Sequence, residues 1–313
     1  MIRRFTVPAA LSLALSLSLS LWFPAPAARA TTLDVGLGYS RILADELVYD
    51  GPDRISRLTW DSRVPVVQIG LGHDLPQGWR LGGRAVVALG GGGFMADYDW
   101  LEPFATGSAL DDWSHRSLHP ETRLRNHVDI DLTIGRDVGQ VAGATISLHG
   151  GLKYSQASWR SWGGSFTYSF DGFRDAEFDL PEDVRAIDYL QRHKAVFAGI
   201  EAHRDMAGWQ MSGLLRAGVS VQPREVDIHW LRDLRFDHSI DAQPYLGLGL
   251  GAHRAIEEDT VLSFEAGWQR FFERRGDARI SDTLDGSLIQ LDPDSIAGEM
   301  TITRLAVSLQ RRF

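Results

Sequence analysis

From Val128 to Ile134 the chain alternates strictly. Val128, Ile130, Leu132 and Ile134 fall on one side of an extended strand, and Asp129, Asp131 and Thr133 on the other. The device recurs from Leu262 to Arg270, with Glu265 and Gln269 on the polar side, and again from Leu305 to Phe313. From Tyr245 to Gly251 leucine alternates with glycine, and further strands are predicted at 33–42, 64–73, 79–89, 141–154, 194–203 and 209–221. A two-residue period along the whole chain argues for an all-β fold. It does not say which face is the inside. In a soluble sandwich the apolar face is the core; in a membrane barrel it meets lipid and the interior tolerates charge.

Three features favour the membrane. The strands run to roughly ten residues, the length a tilted spanning strand needs. Their polar faces carry Asp, Glu and Gln, which suits a wet lumen, and Tyr and Trp lie near many strand ends, as in an interfacial belt. The short turn from Asp74 to Gly78 contrasts with long segments at 91–123, 165–193 and 222–243, as if short turns lay on one side and long loops on the other. Residues 31–313 show no linker or composition break and read as one domain. Ahead of them, Arg3 and Arg4, an apolar run from Leu11 to Leu21 and the Ala28-Arg29-Ala30 site read as a signal peptide over 1–30, with the mature chain starting near Thr31. That run is short for a spanning helix, which needs about 20 apolar residues.

The net charge of −9 argues against a general nucleic-acid binder, and the absence of cysteine removes disulfides and thiolate metal sites. Chemistry must come from other groups. Asp97 and Asp99 follow four glycines, Gly90 to Gly93, and sit among Phe94, Tyr98 and Trp100; Asp227 and His229 form a second pair with the same spacing. Residues i and i+2 of a strand share a face, so each pair aims two side chains at one space. His229 can take a proton from water as general base, and Asp227 can orient the imidazole. Two close carboxylates cannot easily both ionise, so Asp97 and Asp99 are expected to share a proton. No metal or thiol is required, which predicts activity that survives chelators and thiol reagents.

Four segments together resemble the omptins, outer-membrane aspartate-type proteases of Gram-negative bacteria. They are Met95 to Trp100, with its paired aspartates; Trp113 to Thr122, with His119-Pro120; the central stretches Trp162 to Asp175 and Arg185 to Arg192; and Asp227 to Phe236. The last looks nearest the plasminogen-activator-like branch. The resemblance implies a ten-stranded antiparallel transmembrane barrel that extends beyond the outer leaflet, with an active groove at its extracellular top. It implies an endopeptidase in which water held between Asp97/Asp99 and Asp227/His229 attacks the scissile carbonyl; His119 could be catalytic, but that mechanism does not need it, which favours a loop-packing role. Glu46 and Glu225 match positions that receive the basic side chain before the cleaved bond, so cleavage after Arg or Lys is expected, in peptide and protein substrates. Lipopolysaccharide is the implied activator and no metal is. Arg192 matches one lipid A contact, but Gln156 stands where a second contact is basic, a gap that Arg160, Arg232 or Arg235 could fill. The rival readings are a non-enzymatic barrel acting as a surface adhesin and, more weakly, a porin.

Overall fold

A computed structural model describes residues 31–105, 107 and 109–313. The signal-peptide expectation for 1–30 lies outside the described residues. No α-helix occurs among the described residues; thirteen strand segments account for almost all of the structure. They are β1 (Thr31–Asp50), β2 (Asp53–Asp74), β3 (Trp79–Ala88), β4 (Gly91–Asp99), β5 (His115–Val141), β6 (Ala144–Tyr168), β7 (Ala176–Met206), β8 (Trp209–Ser220), β9 (Arg224–His229), β10 (Leu234–Ile240), β11 (Gln243–Ala255), β12 (Thr260–Asp282) and β13 (Leu288–Arg312).

Three pairs of segments are single staves interrupted midway. β3 and β4 both lie between β2 and β5, β8 and β9 both pair with β7, and β10 and β11 both pair with β12. Gly90, at φ 111°, breaks the first; Gln222, at φ 50°, followed by Pro223 breaks the second. The ring is therefore ten antiparallel staves, closed where β1 pairs with β13 from Thr32↔Arg312 to Val48↔Ile296. A closed ladder leaves no edge to pair with another chain.

At the end where Phe313 N–H donates to Thr31 O, connections are tight. Ala142-Gly143 and Ala207-Gly208 are two-residue turns with both φ values positive, the conformation that suits the strand twist. In the half next to these turns the wall is apolar outside and charged inside. Leu37, Leu71, Leu132, Leu152, Leu250 and Leu305 are each more than half exposed. Between them Gln68, Asp129 and Lys153 are buried, and Lys153 Nζ lies 2.6 Å from Asp129 and 2.9 Å from Asp131. This inverted polarity belongs to a barrel standing in lipid, not to a sandwich.

At the opposite end the strands run far past the apolar band. The segments expected as long loops are mostly strand: the actual connections are 100–114, 169–175 and 230–233. Beyond the band the wall has no lipid to face, so its outer surface carries charge; Glu177, Asp179, Glu182 and Asp183 on β7 are all exposed. Between the two halves lies an apolar plug. Trp60, Trp159 and Tyr189 stack with centroids 5.5–6.0 Å apart, all buried, beside Met95, Ile42 and Met300. Trp60 pairs with Ala44 and Met95, and two residues further along the ladder Leu58 pairs with Glu46 and Asp97. The plug is thus the floor of what lies above it.

Candidate active site

Asp97 and Asp99 are carried on β4, clamped between β2 and β5: Asp97 is level with Leu58 and Ser117, Asp99 with Ser56 and His115. The strand ends in a fixed place because Trp100 N–H donates to Ile55 O at 2.8 Å and Ser114 N–H to Asp99 O at 2.7 Å. Ser56 Oγ donates to Asp97 Oδ1 at 3.3 Å. Burial, then the neighbouring Asp99 charge, pushes the Asp97 carboxyl well above its ordinary range; burial also raises Asp99, partly offset by Ser56. The pair is built to keep a proton. Tyr168, beside it, stays a phenol: burial and the two aspartates push it up.

On the facing wall, the short β9 carries Asp227 and His229. The imidazole is long enough to turn back on its own strand, and His229 Nε2 lies 2.5 Å from Asp227 Oδ2. A carboxylate accepts, so Nε2–H donates and Nδ1 keeps the lone pair. Arg232, from the turn at Trp230–Arg232, reaches Nδ1 with its guanidinium. The two pairs border one cavity of about 480 Å³, walled by Ile55, Leu101, Phe166, Tyr168, Ile187 and Ile280. That is room for one or two side chains of a peptide.

Glu46 lies in the floor of this cavity, and burial, then Asp227, Glu225 and Asp97, push it well above the carboxylate range. Glu225 is also fully buried but does not border the cavity: His238 stands in front of it. His238 did not stand out in the sequence, because only the register of the β9–β10 hairpin sets it opposite Glu225. His119 has both ring nitrogens engaged, Nδ1–H donating to Gly163 O at 2.5 Å and Nε2 accepting from Ser117 Oγ at 3.0 Å, and burial lowers it to about 4. It is held in its neutral form at the border of the cavity.

Arg192 lies away from the groove, on β7 next to Arg224 in register, and its Nε donates to Gln156 Oε1 at 3.0 Å. Among the arginines that could fill the gap at Gln156, Arg160 is held by Asp188 at 3.1 Å, Arg235 by Asp237 at 2.7 Å, and Arg232 turns into the groove. Among the described residues no group of three or more His, Asp or Glu side chains is arranged to hold a metal ion.

A family model described as the omptin family matches residues 27–313. The outer membrane protease OmpP of Escherichia coli K12 is 24% identical over 260 residues, covering 81% of each chain. The plasminogen activator of Yersinia pestis is 23% identical over 272 residues, covering 86% of this chain and 85% of that protein. The crystal structure of the Escherichia coli outer membrane protease OmpT superposes with a TM-score of 0.83 at 22% identity, covering 91% of this chain and 97% of that one, which is a likeness of fold. The inside-out barrel, the match over the whole strand-forming region and this likeness lead to one assignment: the chain belongs to the omptin family.

Proposed function

We propose that this chain is an outer-membrane endopeptidase, exported by its first 30 residues, with its groove facing the exterior. One observation supports the reading above the others. A proton-retaining aspartate pair and an aspartate-oriented histidine border the same small cavity. Water bound between them gives a proton to His229 Nδ1, the nitrogen left with a lone pair by the bond to Asp227, as it attacks the peptide carbonyl. Asp227 stabilises the imidazolium that results. The proton kept by Asp97 and Asp99 is donated toward the oxygen on which negative charge develops. Arg232 occupies the Nδ1 position in the free groove and gives way to the water.

Glu46 is the acid that a basic side chain before the cleaved bond would meet, which is why cleavage after Arg or Lys is the specificity proposed; Glu225 contributes from behind. Lipopolysaccharide is the proposed activator, with Arg192 as one contact to its phosphates; the Gln156 amide that Arg192 holds replaces a second cation. An adhesin or porin has no use for two acid–base pairs converging on one cavity. The test is hydrolysis of a fluorogenic arginine-containing peptide in detergent with lipopolysaccharide, comparing wild type with Asp97→Ala and His229→Ala. Equal rates across the three would remove the protease reading.

A further inference from the structure

His238 lies on β10, paired with Glu225 on β9 and with Ala278 on β12. Its Nδ1 is 3.4 Å from Glu225 Oε2 and its Nε2 is 3.7 Å from Glu46 Oε1; all three side chains are buried. The other Glu225 oxygen accepts from Gln191 Nε2 at 2.5 Å. Because a carboxylate only accepts, Nδ1–H donates to Glu225 and the tautomer is set, leaving Nε2 turned toward Glu46. His238 Nε2 and Glu46 Oε2 are both buried without a hydrogen-bond partner, and the 3.7 Å gap is too wide for a direct bond. Two unpartnered atoms facing each other at the floor of a cavity call for a proton or a donor group between them.

We infer that His238 Nε2 completes the cation site at Glu46, and that a proton held between the two and the basic side chain of a substrate compete for it. This rests on the endopeptidase reading. When the groove is empty, one proton is held between Nε2 and the Glu46 carboxyl, whose ionisation burial opposes. When a guanidinium or ammonium enters, that proton passes to solvent, and the side chain's N–H groups bond to Nε2 and to Glu46. A planar guanidinium fork can address both acceptors at once, which favours Arg over Lys. Glu225 does not touch the substrate in this scheme. It is a positioning residue that fixes the His238 tautomer.

The surroundings favour a cation of some kind in the gap. β1 contributes Glu46, β4 Asp97, and β9 Glu225 and Asp227, all acidic. β7 contributes Tyr189 and Gln191, which are neutral, and the 230–233 turn contributes Arg232, with His229 beside it. β12 presents Ala278, its flanking Asp277 and Arg279 being exposed, and β13 presents Ile296, the bare Gly298 against which Glu225 packs, and Asp292, a further acid level with Ala278 at the border of the cavity. On β10 itself Phe236 is the inward neighbour, and Arg235 and Asp237 pair with each other.

The test uses the full-length protein in lipopolysaccharide-containing detergent and two peptides that differ only in arginine or citrulline before the cleaved bond. Their ratio of kcat/KM cancels every titration common to both. As pH rises the wild-type ratio should climb by up to about tenfold per pH unit over part of the range, the limit for one linked proton. His238→Gln and His238→Ser should flatten it. A flat wild-type ratio, or a slope that survives in both variants, overturns the inference while leaving the protease reading in place. Cleavage of neither peptide overturns the protease reading. Argininamide binding to the wild type, followed by calorimetry in two buffers of different ionisation enthalpy, then decides the cation site on its own. Release of about one proton supports it; binding without release, or no binding, sinks it.

Discussion

Glu46→Gln separates what this site does from what holds the barrel together. Glu46 is fully buried, and burial, Asp227, Glu225 and Asp97 all oppose its ionisation. A carboxyl raised in the folded state contributes its full stability below the unfolded value, near pH 4, and loses it as pH rises through the folded value. At neutral and alkaline pH the wild type therefore carries a penalty that an isosteric, uncharged glutamine does not. The new amide also has an acceptor facing it, since His238 Nε2 is buried without a partner 3.7 Å from the Glu46 carboxyl. The urea midpoint of Glu46→Gln should exceed that of wild type at about pH 8, and the difference should vanish toward about pH 4.

Activity should move the other way. An arginine before the cleaved bond loses a charge-assisted hydrogen bond worth about 1.5–3 kcal/mol. That is a fall of about 10- to 150-fold in kcat/KM, with the matching citrulline peptide changed far less. The stability arm is read by urea titration of tryptophan fluorescence, and the activity arm with the two peptides. A lower midpoint at pH 8, or equal losses on both peptides, would refute the placing of Glu46 as an unpaired acid facing the substrate.

Asp97→Ala and His229→Ala should each lower kcat by about 10²- to 10⁴-fold with little change in the urea midpoint, since both line a cavity rather than fill a core. Lys153→Met should do the reverse. It leaves Asp129 and Asp131 without their shared cation inside the lumen, a cost of about 3–5 kcal/mol in stability, and should leave the arginine-to-citrulline ratio untouched. Activity should persist in EDTA; its loss there, restored by a divalent metal, would contradict a mechanism built on Asp97, Asp99 and His229 alone.

The alternation from Val128 to Ile134 put Asp129 and Asp131 on one face, and strand length and the aromatics near strand ends made that face the inner one, because lipid enforces one apolar side on every stave that crosses it. The same rule explains where the sequence fell silent. Above the band β7 opens with Phe178 and Leu180 alternating with Glu177 and Asp179, but Pro181, Glu182 and Asp183 break the run, so a strand looked like a loop. Within the site, the same-face spacing of Asp97 and Asp99 was legible, but the Asp227–His229 contact was not: it depends on the imidazole folding back along its own strand. His238 and Arg232 were further from reach. Their places follow from a three-residue turn and a hairpin register that no local pattern encodes.

What distinguishes the site from the rest of the charged interior is the state of its acids. In the lumen Asp129, Asp131 and Glu265 each meet a Lys or Arg within 3.1 Å, so those charges cancel in place and serve the wall. Above the plug of Trp60, Trp159 and Tyr189 the pairing stops. Asp97 and Asp99 meet no Lys or Arg at ion-pair distance among the described residues, and Glu46 faces only a histidine 3.7 Å away. Unpaired buried acids are costly, and the closed ladder and the plug beneath them supply the rigidity that keeps them together. An imbalance of this kind is relieved by whatever brings a positive charge or a proton into the groove. That is the physical basis for expecting basic side chains to be drawn there, and for expecting protons to compete with them.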